Sequence, residues 1–75
     1  MMIPELIKTV RSKLGASQDD LGIAISVANV TISNWEIGKT IPSRSTRERL
    51  ASYCEKKGIE KELVAAIRKI SKETQ

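Results

Sequence analysis

Residues 14–39 read Leu14-Gly15-Ala16-Ser17-Gln18-Asp19-Asp20-Leu21-Gly22-Ile23-Ala24-Ile25-Ser26-Val27-Ala28-Asn29-Val30-Thr31-Ile32-Ser33-Asn34-Trp35-Glu36-Ile37-Gly38-Lys39. Two short helices joined by a tight turn account for this stretch. Gly15 is a natural stop for whatever precedes it, because glycine enters the left-handed region without a Cβ clash. Ser17-Gln18-Asp19-Asp20 follows as a capping box with Asp20 in place of the usual Glu or Gln, so a helix is expected over 17–25. Leu21 and Ile25, four apart, share one face. Gly22 beside them would permit close approach, at a cost of about 1 kcal/mol in helix propensity. Ser26 marks a turn, and a second helix is expected over 28–36. On it Ile32 and Trp35 face inward with Val27. Asn29, Val30, Ser33 and Asn34 fall on the opposite side, at spacings of one, three and four. That side carries no Lys, Arg, Asp or Glu, unlike an ordinary solvated helix surface.

Working outward, Pro4 suits a first helical position, and Ile3, Leu6, Ile7, Val10 and Leu14 make an apolar stripe over 4–14. Beyond Trp35, residues 37–43 form a loop with Gly38 and Pro42. Ser45-Thr46-Arg47-Glu48 resembles a capping box, so a fourth helix is expected over 45–57 with Leu50, Ala51, Tyr53 and Cys54 on its buried side. Gly58 stops it. A fifth helix is expected over 60–72, with Leu63, Val64, Ile67 and Ile70 inward and the final residues frayed. No segment alternates like a strand, so the fold class is all-α. The helices of residues 17–36 are too short to stand alone and need the other three as packing.

The chain has 75 residues, which makes one domain over 1–75. It carries 13 Lys and Arg against 9 Asp and Glu, a formal charge of +4 that favours an anionic partner without identifying it. Aromatics are nearly absent, so the core must be aliphatic. With no His and one cysteine, Cys54, neither an intramolecular disulfide nor a familiar zinc pattern is available. The absence of His also removes the commonest general base, and an enzyme is not expected. No apolar run is long enough for a membrane span and no signal-peptide pattern is visible, so a cytoplasmic location is expected.

The motif Leu14 to Leu21, then Val27, then Thr31-Ile32-Ser33-Asn34-Trp35-Glu36-Ile37-Gly38-Lys39, then Pro42, resembles the Cro and phage-repressor type (XRE type) of helix-turn-helix DNA-binding domain. The resemblance covers residues 6 to about 58. It implies a five-helix, lambda-repressor-like bundle whose helix-turn-helix unit spans about 17–36. It further implies a bacterial or phage-encoded, nucleoid-associated regulator of transcription, expected to repress by occupying an operator.

By position, the resemblance assigns base reading to Asn29, Val30 and Asn34, with Ser33 beside them. Asn can bond adenine N6 and N7 together, and Val30 offers a methyl surface to thymine, so a preference including A·T pairs is expected. Gln18 would bond a phosphate and brace the recognition helix. Lys39, Thr40 and Arg44 would border the DNA backbone, adding affinity and salt dependence but no sequence information. Thr31 either contacts a phosphate or satisfies its own helical turn. Arg11 and Glu36 are an expected ion pair, mainly architectural, that would also orient Arg11 near a phosphate. Trp35 is read as core.

The chain departs from the family's pattern at Gly22, at Ser26 where the turn usually has Gly, and at Ala28, which occupies a Ser or Thr capping position. No cofactor or metal is implied. Double-stranded DNA is the expected partner, bound by a homodimer on a near-palindromic site. Exposed apolar residues for a dimer contact are sought at Ile23, Ile37 and Ile41 and in spare surface at Val64 and Ile67. A different class of function is also open: a protein-interaction module, such as an antitoxin that neutralises a toxin and binds DNA only secondarily.

Overall fold

Four of the helices among the described residues end in the same way, and that repetition sets the chain's course. The computed structural model describes residues 2–71 as five helices: α1 (Ile3–Leu14), α2 (Gln18–Ile25), α3 (Asn29–Glu36), α4 (Arg44–Lys56) and α5 (Lys61–Arg68). After α1 the Ala16 N–H reaches back to the Arg11 carbonyl and the Gly15 N–H to Ser12. Val27 and Ser26 repeat the pair onto Gly22 and Ile23 after α2. Lys39 and Gly38 bond Asn34 and Trp35 after α3, and Ile59 and Gly58 bond Cys54 and Glu55 after α4. Each is a Schellman closure, which needs one left-handed residue. Gly15, Gly38 and Gly58 supply it without strain, whereas Ser26, at φ 61°, is the one non-glycine residue with positive φ among the described residues.

The N-termini are less uniform. Ser17 and Asp20 exchange hydrogen bonds in a complete capping box. Ala28 has extended, cap-like backbone angles but no side chain to accept, so α3 starts without a cap bond and one residue later than expected. The fourth helix differs from its expected start. Its cap is Ser43, whose side chain accepts from the Thr46 N–H and bonds the Thr46 hydroxyl at 2.9 Å. The expected box at Ser45 does not form, because Ser45 is already inside the helix as its second residue; Glu48 pairs with Arg68 at 3.3 Å. The earlier start places Thr46 on the buried side one turn before Leu50. The fifth helix is shorter than expected, ending at Arg68. Ile70 lies beyond its end yet is still buried. The expected fraying concerns positions 72–75, outside the described residues.

The core is aliphatic around one indole. Ile3, Leu6, Ile7 and Val10 of α1, Leu21 and Ile25 of α2, Ile32 and Trp35 of α3, Leu50, Ala51 and Cys54 of α4, and Val64 and Ile67 of α5 are all buried in one cluster. α1 packs on α3 and α5, α2 on α3 and α4, and α4 on α5. Val64 and Ile67 are therefore core, not the spare apolar surface anticipated for a dimer contact. Ile41, also anticipated as exposed, is half-buried against the same cluster. Burial pushes the Cys54 thiol up to about 11, so it stays protonated at neutral pH. No helix among the described residues is long and apolar enough to cross a membrane.

Candidate nucleic-acid interface

α3 is held against the bundle by a charged latch at its C-terminal end. Glu36 is 5% exposed, and its carboxylate receives a two-pronged contact from Arg11: Nε to Oε2 at 2.7 Å and Nη2 to Oε1 at 3.0 Å. The Gln18 Nε2 donates to the same Oε1 at 3.1 Å. Arg11 also donates through Nη1 to the Ala16 carbonyl at 3.2 Å. One carboxylate thus joins α1, the start of α2 and the end of α3. Burial alone would raise the Glu36 carboxyl. The hydrogen bonds from Arg11 and Gln18, with the charges of Arg11 and Lys8, outweigh it and hold the group below the usual carboxylate range. The guanidinium is correspondingly harder to deprotonate. A fork of this kind fixes orientation as well as distance.

With Ile32, Trp35 and Glu36 turned inward, the remaining side of α3 faces out. Asn29 is exposed, Val30 is 60% exposed, and Thr31, Ser33 and Asn34 are half-buried. Among the described residues, the hydroxyls of Thr31 and Ser33 and the side-chain amide of Asn34 have no intramolecular hydrogen bond, and no buried side-chain polar atom lacks a partner. These groups are left to solvent or to a ligand. The local helical turn anticipated as one option for the Thr31 hydroxyl is not used.

Lys39 and Thr40 lie in the loop that follows α3. Their backbone N–H groups bond the Asn34 carbonyl at 2.9 and 3.4 Å, while both residues stay exposed. Arg44 is exposed at the first position of α4, one residue before the expected start of that helix. Gln18 and Arg11 are committed to the latch. The structure thus brings Arg11, Gln18 and Glu36 together, and Lys39 and Thr40 onto the end of α3. No side-chain hydrogen bond among the described residues ties Arg44 to either group.

Two features escaped sequence inspection. Asp19, at the second position of α2, accepts a hydrogen bond from the Asn29 Nδ2. Residues ten apart on different helices leave no periodic trace, and only the opening of both helices at one edge brings them together. Lys8 of α1 lies close enough to Glu36 to act on its charge.

The turn between α2 and α3 is tight. A Cβ built on Gly22 would stand 2.6 Å from the Val27 carbonyl oxygen. Ile23 and Ile37 project outward at 81% and 69% exposure. The outcome is a short helix with a neutral, hydrogen-bonding outer side, cations just beyond its C-terminal end and a carboxylate at its N-terminal edge. No known family model matches the chain, and neither a curated protein nor a solved structure matches it.

Proposed function

We propose that this chain binds double-stranded DNA in a sequence-specific manner and regulates transcription, repressing by occupying a promoter or operator. In this proposal α2, the Ser26–Ala28 turn and α3 are the helix-turn-helix unit of a phage-repressor-like bundle, and α3 enters the major groove. The observation that carries it is the outer side of α3. Asn29, Val30, Ser33 and Asn34 present short polar and methyl groups with no charge, on a helix whose other side is locked into the core. Such groups suit base edges: amides for adenine, a branched aliphatic side chain for the thymine methyl. Lys39, Thr40, Arg44, Thr31 and the N-terminal end of α2 at Gln18 supply the phosphate contacts, and Arg11 braces the unit beside them.

One helix reads few base pairs, so a homodimer with recognition helices about 34 Å apart is the natural assembly. The host compartment in this proposal is the bacterial or phage-infected cytoplasm, at the nucleoid. The test is selection from random duplex DNA, repeated with Asn29→Ala and Asn34→Ala. The wild type is expected to enrich a motif, and each variant to lose preference at its own base pair by about 1–3 kcal/mol. A uniform drop over all sequences would reassign those residues to the backbone. Failure of the wild type to enrich any motif would overturn the proposal. That failure would favour the second reading, an antitoxin-like protein-interaction module, for which the strongly exposed Ile23 is the supporting observation.

A further inference from the structure

The geometry points to Asp19 as a positioning residue that sets the base preference of Asn29 by holding its amide in one orientation; this rests on the DNA-binding proposal. An asparagine amide turns broadly about its last torsion, so a free Asn29 would present its oxygen or its nitrogen to a base edge without preference. Here the Nδ2 donates to the Asp19 carboxylate, and an ionised carboxylate can only accept. The nitrogen must therefore face Asp19. One N–H is used there. The second N–H and the Oδ1 remain, and these are the donor and acceptor that meet N7 and N6 of adenine.

The position of Asp19 makes this more than a surface contact. It lies in the first turn of α2, where the helix end favours a negative charge, and Asn29 is the first residue of α3. Asp20 is engaged separately in the capping box with Ser17, leaving Asp19 for Asn29. A carboxylate at the rim of a DNA-binding surface opposes phosphates at every sequence. Its useful effect is then to raise discrimination while lowering affinity overall.

The experiment measures binding of the full chain to the duplex selected by the wild type, and to the same duplex changed at the base pair sensitive to Asn29→Ala. The matched-to-mismatched ratio is the readout. Asp19→Ala should tighten binding to both duplexes and lower the ratio about threefold to tenfold, the effect of releasing one ordered side chain. Asp19→Asn keeps the shape and loses the charge, and should lower the ratio less, because its amide can accept from Asn29 or donate to it. In an Asn29→Ala background, Asp19→Ala should leave the ratio unchanged, since the effect must pass through Asn29. An unchanged ratio in Asp19→Ala, or an equal fall in the Asn29→Ala background, would overturn the assignment. A wild type that enriches no motif would remove the DNA-binding proposal and this one together. A motif with no base pair sensitive to Asn29→Ala would remove this one alone.

Discussion

The Val27 carbonyl oxygen lies directly over Gly22, 2.6 Å from where a Cβ on that residue would stand. The Val27 N–H is at the same time bonded to the Gly22 carbonyl at 2.9 Å, so the turn is closed on the helix end it leaves. The obstructing atom belongs to the backbone and cannot rotate away. Gly22→Ala gains about 1 kcal/mol in helix propensity. Displacing a tightly packed turn costs about 1–3 kcal/mol. We expect a net loss, with a lower denaturation midpoint in urea; a midpoint at or above that of the wild type would show that the turn can yield.

The same turn holds two positions where stability can be gained. Ser26 adopts a left-handed conformation that costs a non-glycine residue roughly 1 kcal/mol. Ala28 has the backbone of a cap and no side-chain acceptor. Ser26→Gly and Ala28→Ser should each add about 1 kcal/mol, or about 4–8 °C in melting temperature for a chain of this size. Thermal melts followed by circular dichroism are the check.

Stability should fall in acid through Glu36. Its carboxyl is held below the ordinary range in the folded chain, so its contribution is complete above the unfolded value and is lost as pH drops through the folded one. Glu55 and Glu60, held low by Arg68 and Lys13, slope the same way from exposed positions. Glu36→Gln isolates the buried group. At pH 7 it should cost about 2 kcal/mol, less than for a fully buried pair because Arg11 retains access to water. The variant's stability should also fall less steeply with acid than that of the wild type, and an identical slope would remove Glu36 as the source.

Lys39 should report on the DNA backbone alone. It is exposed, and its backbone is fixed to the end of α3 through the Asn34 carbonyl. Lys39→Ala should weaken binding to selected and random duplexes alike, and lower the slope of log affinity against log salt by about 1. A salt titration with an unchanged slope would take Lys39 out of the phosphate contacts.

Much of this architecture could be read along the chain, because helix ends are decided within five or six residues. The Ser17–Asp20 box and the stops at Gly15, Gly38 and Gly58 need nothing distant. The inward stripe of α1 and the uncharged outer side of α3 likewise follow from periodicity. The local rules missed the start of α4. Ser45 is the expected cap for α4, but the folded chain caps it with Ser43, with Thr46 taken into the buried side of the helix and Glu48 paired with Arg68.

What the chain order alone determined, then, is where helices begin, where they stop and which side of each is apolar. Tertiary packing decided how much of each apolar side is covered. Val64 and Ile67 look like spare surface until α5 is laid on α4 and α1, where both are buried. Packing also decided the polar partnerships: Gln18 with Glu36, and Asp19 with Asn29. Such bonds depend on distances between side chains on different helices. Sequence spacing does not encode those distances until the core has set how the helices lie on one another.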